Sequence, residues 1–464
     1  MCYVQSQATG HSTNIPLTNE AEFYKTLGEW MAELDAPDTV ILEGDNGEGA
    51  QFSLIPSAGN KFIREDFNSI RFSDIGVYPK VYLTKIDPKW NNYKFYQLEQ
   101  VGDQIIATYG RIGSDSSDRF GRSTHPYESR MYYIKLSEKI AKGYIDQSDV
   151  FLGKEAKKKE AHKPQNTPSS ILYNQLLRFA RNYVERNVVS SVNITEEMVK
   201  ESKKILSHMG NLKSVSVFNK WLQKLLVVSP RRIDGAKEMG VQRWLASSKE
   251  DFARIIEREE DLINSMDVVA ESDVKSASDF GKGFDIFFAT ESQKEKVLEK
   301  LSPQLQPKVK NVYRVIPHRQ KELFNRYLEK NHIKHIKELW HGSRNCNWLS
   351  IIKHSLQLNP NAQITGKMFG QGIYFAPSSM KSWGYTSYSG SYWAGGHSDT
   401  AFMGLYAVAY GSPKNVDTAQ PGMTERGLGG KNCVHAHAGL QLRNDEIIFY
   451  NEHAVLLNYI VEFH

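Results

Sequence analysis

Cysteine is scarce: Cys2, Cys346 and Cys433 are the only ones in 464 residues. They are too few and too far apart for a disulfide framework, and no CxxC pair suggests a structural zinc finger. Long apolar runs are missing too, since none approaches the roughly 20 residues that cross a bilayer. Met1 to Thr18 lack the basic start and apolar stretch of a secretory signal. An intracellular product is therefore expected, nuclear in a eukaryote and cytoplasmic or nucleoid-associated in a bacterium. No charge sign dominates: 58 basic against 53 acidic residues leave +5, too mild to imply nucleic acid as the partner of the whole chain. There is no repeat of fixed period. No GxGxxG follows an early strand, which argues against a doubly wound dinucleotide fold.

What is present is ordinary globular material. Hydrophobic residues at 40%, aromatics at 11% and charged residues at 24% exclude collagen-like and largely disordered chains. At roughly 150 residues per domain, the length suggests about three domains.

The patterning changes along the chain. Residues 1–76 mix a helical segment, Glu20 to Leu34, with apolar runs and a Gly-rich turn at 44–49, and contain no motif. From Val81 the alternation has period two: Lys94 to Leu98, the turn Val101-Gly102-Asp103, then Gln104 to Tyr109, a hairpin signature. Lys154 to Pro164 is polar and charge-rich and is expected to be a linker or frayed helix. From Ser169 to about Ala270 the period is helical, with Met198, Ser202, Ile205, Leu206 and Met209 on one face, and Asn193 with Glu196 offers a capping box. A second apolar face, Val217 to Leu226, ends at Pro230,. After Ser276 glycine and aromatics increase, and Gly404 to Tyr410 and Ala454 to Phe463 suggest strands.

Four pieces of this last region carry chemistry: Trp340-His-Gly-Ser-Arg344, Ile364 to Ala376, Lys381-Ser-Trp-Gly-Tyr385, and Phe449-Tyr-Asn-Glu-His453. Together, in this order, they resemble the catalytic domain of the poly(ADP-ribose) polymerase family over about residues 280–464. Upstream, Lys94 to Leu98 with Thr108-Tyr-Gly-Arg-Ile-Gly113 resembles the WGR module of its DNA-dependent members, and the helical block resembles their regulatory domain. The resemblance implies a multidomain α+β chain. Its expected parts are an N-terminal region of unknown role (1–76), a small β-rich WGR-like domain with its linker (77–165), an all-helical regulatory domain (166–275), and a mixed α/β ADP-ribosyltransferase domain with split antiparallel sheets (276–464).

The implied reaction has its own logic. Cleaving the nicotinamide–ribose bond of NAD+ expels a neutral base from a pyridinium, so the leaving nitrogen needs no proton and a single carboxylate suffices. A glycosidase needs a second carboxyl to protonate its leaving oxygen, although both pass through an oxocarbenium-like state. The resemblance assigns that carboxylate to Glu452, which would bond the ribose 2′-hydroxyl and help deprotonate the acceptor. An isolated Glu in such a segment would instead read as a solvated edge residue. His341 would hold the adenosine-side ribose, and Gly342 would let its backbone grip the nicotinamide amide. Tyr374 and Tyr385 would sandwich the ring, and Ser382 would offer a hydroxyl to the carboxamide or else act as a helix cap. Ser343, Arg344, Gly372, Phe375, Ala376 and Lys381 complete the expected NAD+ set. The resemblance makes Glu452, His341 and Tyr374 the expected catalytic residues. Gly366, Gly370 and Gly372 would shape a loop over the dinucleotide.

NAD+ is a consumed substrate in this reading, and no other cofactor is expected. The expected partners are DNA ends, contacted by Tyr109, Arg111, Lys94, Trp90 and Arg122 with Lys89 and Arg119 nearby, and protein acceptors including the chain itself. A basic set interleaved with aromatics fits phosphate contacts. It equally fits a solvated basic face, and Arg111 either meets a DNA phosphate or docks on the helical unit. Tyr109 stands where the module's tryptophan is usual, Gln357 where an Arg is common, and Lys367 where an aromatic often precedes Met-Phe-Gly. The presence of Glu452 favours polymer formation. Single-unit transfer and a DNA-binding scaffold without turnover are the alternatives. Cys433, His435 and His437 alternate but miss common metal-ligand spacings, so they are expected in a loop and no metal is expected.

Overall fold

The computed structural model describes residues 1–6, 9–33, 40–45, 51–54, 72, 77–87, 92–112, 122–152, 167–188, 194–231, 244–274, 283–358 and 368–464. They form two compact units. One comprises Met1–Lys154, Val189–Glu197 and Leu226–Leu245, the other Glu155–Val188, Met198–Leu225 and Ala246–His464. The linker at 154–164, the capping residue Asn193, and Lys89, Trp90, Gly113, Arg119, Gly366 and Lys367 lie outside the described residues.

In the first unit, β1 (Cys2–Ser6), β2 (Ser12–Ile15), α1 (Glu20–Glu33), β3 (Val40–Asp45) and β4 (Gln51–Leu54) precede β5 (Val81–Asp87), β6 (Asn92–Val101), β7 (Gln104–Arg111), β8 (Ser123–Glu128), α2 (Tyr132–Ala141), β9 (Ile145–Asp146) and α3 (Ser148–Phe151). The sheets run β2-β1-β3-β4 and β8-β7-β6-β5-β9. The expected hairpin is β6–β7: Val101 pairs Gln104 across a turn in which Gly102 takes φ of +61°, cheap only for a residue without Cβ. On α1, Phe23, Tyr24, Leu27 and Met31 recur at helical spacing and bury against Tyr133, Ile134, Leu83 and Leu98 in one cluster,. A Cβ at Gly28 would lie 2.9 Å from the Ser137 carbonyl, so the close approach of the two helices needs this glycine. The described part of 1–76 thus shares its core with the β-rich module, and residue 76 separates sequence patterns rather than cores.

The second unit opens with the helices α4 (Pro168–Asn187), α5 (Glu196–Met209), α6 (Val215–Val228) and α7 (Asp251–Val274), of which the first two residues of α5 and the last three of α6 fall in the first unit. Thr167 caps α4 through a reciprocal bond with Ser170, with Pro168 in the first turn,. The face of α5 read from periodicity is the buried one. Then follow β10 (Phe284–Phe288), α8 (Glu291–Glu299), β11 (Val309–Pro317), α9 (His318–Lys330), β12 (Lys337–Gly342), α10 (Trp348–His354), β13 (Ile373–Phe375), α11 (Ser379–Trp383), β14 (Ala401–Val408), β15 (Pro413–Val416), β16 (Cys433–Ala436), β17 (Glu446–Phe449) and β18 (Val455–Phe463).

Two sheets result, β10-β11-β18-β14-β12 and β13-β17-β16-β15. All eight residues of β14 are buried, as expected of an inner strand covered on both faces. Pairing in these two sheets is antiparallel, as expected, except between β15 and β16, which run parallel. The sheets join where Trp340 and Ala376 exchange both backbone hydrogen bonds at 3.0 Å. Cys433 and His435 lie in β16 and His437 follows directly. The expected loop is corrected to a strand for Cys433 and His435, because Cys433, Val434 and Ala436 are fully buried and the strand pairs on both edges, whereas His437 lies in the loop beyond it, as expected. No described helix is long and apolar enough to cross a membrane.

Candidate active site

The junction between the two sheets gathers most of the expected set. His341 lies on β12 opposite Gly404, and its Nδ1 is 3.0 Å from the carbonyl oxygen of Tyr374 on β13. Its ring packs among Phe375, Tyr406 and Trp348, which leaves little rotational freedom. A Cβ on Gly342 would stand 1.9 Å from the Ser382 carbonyl oxygen, so this glycine is imposed by backbone contact. The Ser382 hydroxyl, near the end of α11, donates to Trp340 O at 3.0 Å. It braces β12 from its buried position.

Tyr374 is held at its far end: its hydroxyl donates to Gly370 O at 2.9 Å and accepts from Phe369 N at 3.1 Å. Burial pushes its pKa well up, so it stays a phenol. Gly370 adopts φ of +69°, where a Cβ would meet the Met423 carbonyl at 2.2 Å, and Gly372 is crowded by Ile448. Tyr385 follows α11, with its N–H bonded to Ser382 O. It is 40% exposed and lies parallel to Trp393. Its pKa is pushed up to about 12 by burial first, then by Glu446 and Glu257. Phe375 and Ala376 contribute core and backbone rather than exposed side chains. Lys381 is occupied, bonding Glu446 at 2.5 Å and Asn444 O.

Glu452 follows the end of β17. Ile373 pairs Phe449, so Glu452 leaves β17 three residues beyond the row next to Tyr374. Its Oε1 accepts from Leu358 N at 2.6 Å, and its backbone carbonyl accepts from Gln320. Its side chain lines a cavity of about 780 Å³ together with Arg319, Gln320, His354 and Gln357. Among the described residues, that lining includes none of His341, Tyr374 and Tyr385.

Ser343 and Arg344 face the helices. Asp261 on α7 accepts from the Arg344 guanidinium and from Asn347 Nδ2 at 2.7 Å, and the same amide reaches Ser343 Oγ at 3.2 Å. Burial alone would lower the Arg344 pKa, but the Asp261 carboxylate outweighs it and keeps the guanidinium charged. Lys353 pairs with Glu271, about three turns further along α7,. Asp261 escaped the sequence reading although a signal existed: an acid among Leu262, Ile263 and Ser265, all on the buried side of an amphipathic helix, must have a partner.

In the first unit, Lys94 stands opposite Arg111 and Tyr96 opposite Tyr109, so pairing brings these expected DNA contacts onto one face. Tyr109 is 39% exposed and stacks on Tyr96 at 5.7 Å. Arg111 is half-buried, and burial lowers its pKa. Arg122 lies 5.4 Å above the Phe95 ring, on the other face.

Both modules have counterparts among known proteins, and these define the class. Residues 291–439 match the poly(ADP-ribose) polymerase catalytic domain and residues 79–150 the WGR domain, so the chain carries a catalytic domain and a WGR domain of those families. Among individual relatives, human poly(ADP-ribose) polymerase 2 is 32% identical over 155 residues, which is 27% of this chain and 26% of that protein. The poly(ADP-ribose) polymerase 2 of Arabidopsis thaliana is 30% identical over 153 residues, 27% of this chain and 23% of that protein. A putative poly(ADP-ribose) polymerase-like protein of Invertebrate iridescent virus 6 is 28% identical over 161 residues, 32% of this chain and 83% of the viral protein. The matched stretch spans about a quarter of the human and plant relatives.

Proposed function

We propose that this chain is an NAD+-dependent ADP-ribosyltransferase that cleaves the nicotinamide–ribose bond, builds poly(ADP-ribose) on itself and other proteins, and responds to DNA breaks through its WGR module. The observation that carries the reading is the junction of the two sheets: His341 tied to the Tyr374 backbone, Gly342 stripped of Cβ against Ser382, and β17 delivering Glu452 past the same row. In this reading the nicotinamide ring lies between Tyr374 and Tyr385, and the amides around Gly342 donate to its carboxamide. Glu452 steadies the ribosyl cation. Because its carboxylate accepts from Leu358 N, binding of the ribose exchanges that amide for the 2′-hydroxyl.

The helical block acts as a restraint in this reading. Asp261 engages Arg344 and Asn347 two to five residues after Gly342, so α7 holds the segment that NAD+ must approach. DNA at the Lys94, Tyr109 and Arg111 face shifts the balance towards release. Single-unit transfer is favoured by one observation only, that Gln357 lines the Glu452 cavity where resembling enzymes carry an Arg. Incubation with labelled NAD+, with and without broken DNA, tests the whole reading. A DNA-stimulated ladder is expected, one band would leave transfer without elongation, and no nicotinamide release would end the enzymatic reading.

A further inference from the structure

Three side chains outside the catalytic junction converge at the exposed end of β16. His435 and His437 project from the same side of the strand with ring centroids 4.1 Å apart, and Asp445 closes the loop that leads into β17. His435 Nε2 is 2.8 Å and His437 Nδ1 3.7 Å from the same oxygen, Asp445 Oδ2, and the three ligand atoms all lie within 4.8 Å of one another. Adjacent ligands of a tetrahedral zinc site with metal–ligand bonds of about 2.0–2.2 Å stand roughly 3.3 Å apart, and the two distances to Asp445 straddle that value.

The atoms facing away from the cluster are also arranged. His435 Nδ1 is 2.7 Å from the Tyr410 hydroxyl, His437 Nε2 is 3.0 Å from Asn415 Oδ1, and Asp445 Oδ1 accepts from Ala438 N at 2.8 Å. Each ligand is thus oriented through its non-converging atom, as in metal sites whose histidines donate their second N–H to an oxygen. The Asn415 contact fixes which nitrogen faces the cluster. An amide oxygen only accepts, so His437 Nε2–H donates to Asn415 Oδ1 and Nδ1 is left facing Asp445 Oδ2 at 3.7 Å, where a metal ion can take the place of a proton. His437 and Asp445 are partly exposed, at 39% and 35% of the side chain, which leaves room for water as a fourth ligand.

We propose that His435, His437 and Asp445 bind one divalent transition-metal ion of the zinc class, which clamps the loop between β16 and β17. The nitrogen and oxygen donors suit zinc or cobalt better than magnesium or calcium, which prefer all-oxygen shells. The ion fixes the start of β17, where Glu446 holds Lys381 beside Ser382, and it takes no part in the transfer chemistry.

The test uses the full chain, stripped with chelator, desalted, and titrated with Co2+ at slightly alkaline pH. One equivalent should bind with the intense visible bands of a tetrahedral site, be displaced by Zn2+, and raise the melting temperature. His437→Ala keeps the His435–Asp445 pair and so the loop's own contacts, and it should weaken binding at least tenfold. Tyr410→Phe and Asn415→Ala, which touch no metal, should each weaken it about 10- to 100-fold. His397→Ala, at an exposed histidine elsewhere, should change nothing. Failure to bind one equivalent, or binding unchanged in His437→Ala, overturns the proposal.

Discussion

The two ends of the last strand carry a glutamate each, and they differ in everything except residue type. Glu462, inside β18, is fully buried and accepts from Gln175 on α4 and from Lys310, Asn311 and Tyr313 on β11. Glu452, just before the strand, accepts at its carboxylate from Leu358 N and opens onto a cavity. A carboxylate saturated by donors is an architectural element, because it has little acceptor capacity left for a substrate. One with unspent capacity at a cavity wall is available for chemistry.

The contrast is broken most sharply by Glu452→Gln. Nicotinamide release should fall by about 10²- to 10³-fold with an unchanged melting curve, and equal rates would remove Glu452 from catalysis. Glu462→Ala should do the reverse, costing about 3 to 5 kcal/mol in denaturant unfolding because four donors lose a buried partner. A normal unfolding midpoint would refute the structural role.

Acid sharpens the same comparison. Burial alone would raise the Glu462 pKa, but Asn311, Gln175 and Lys310 hold it below the ordinary glutamate value. The folded-state pKa therefore lies below the unfolded one, and the stabilisation is complete above the ordinary range and disappears as pH falls through the depressed value. Glu462→Gln should flatten that acid limb, and an identical limb would assign acid sensitivity to other carboxylates.

Smaller effects lie at the junction and on the helices. In Gly342→Ala the new methyl meets the Ser382 carbonyl, so KM for NAD+ should rise at least tenfold, and an unaltered KM would detach Gly342 from the binding surface. Asp261→Asn weakens the hold of α7 on Arg344. Turnover without DNA should rise about fivefold, the lower end of usual coupling, whereas unchanged basal turnover would mean that α7 exerts no restraint.

Much of this was legible in one dimension. Alternation of period two yields β6 and β7 and the turn at Gly102, and spacings of three and four yield α5, because backbone geometry projects directly onto residue order. The four pieces around His341, Gly372, Ser382 and Glu452 were legible through family resemblance, and two of their glycines, Gly342 and Gly370, sit where backbone approach leaves no room for a Cβ. Asp261, Asn347 and Glu446 were not legible, since each acquires meaning only from a partner that is more than eighty residues away, newly juxtaposed across the fold, or already assigned another task. The alternation of Cys433, His435 and His437 was visible, yet whether they formed strand or loop depended on pairing with β15 and β17.

Residue order alone thus determined the element types, the catalytic module and the chemistry a lone carboxylate can support, since these rest on local geometry and on the kinds of side chain present. Only tertiary structure decided that residues between Cys2 and Met31 share a core with the strands from Val81 onward, that Ser382 braces a strand, and that Arg344 answers a helix. The physical reason is common to all three: burial and hydrogen bonding are satisfied in space, and the chain distance between partners leaves no trace in either partner's own neighbourhood.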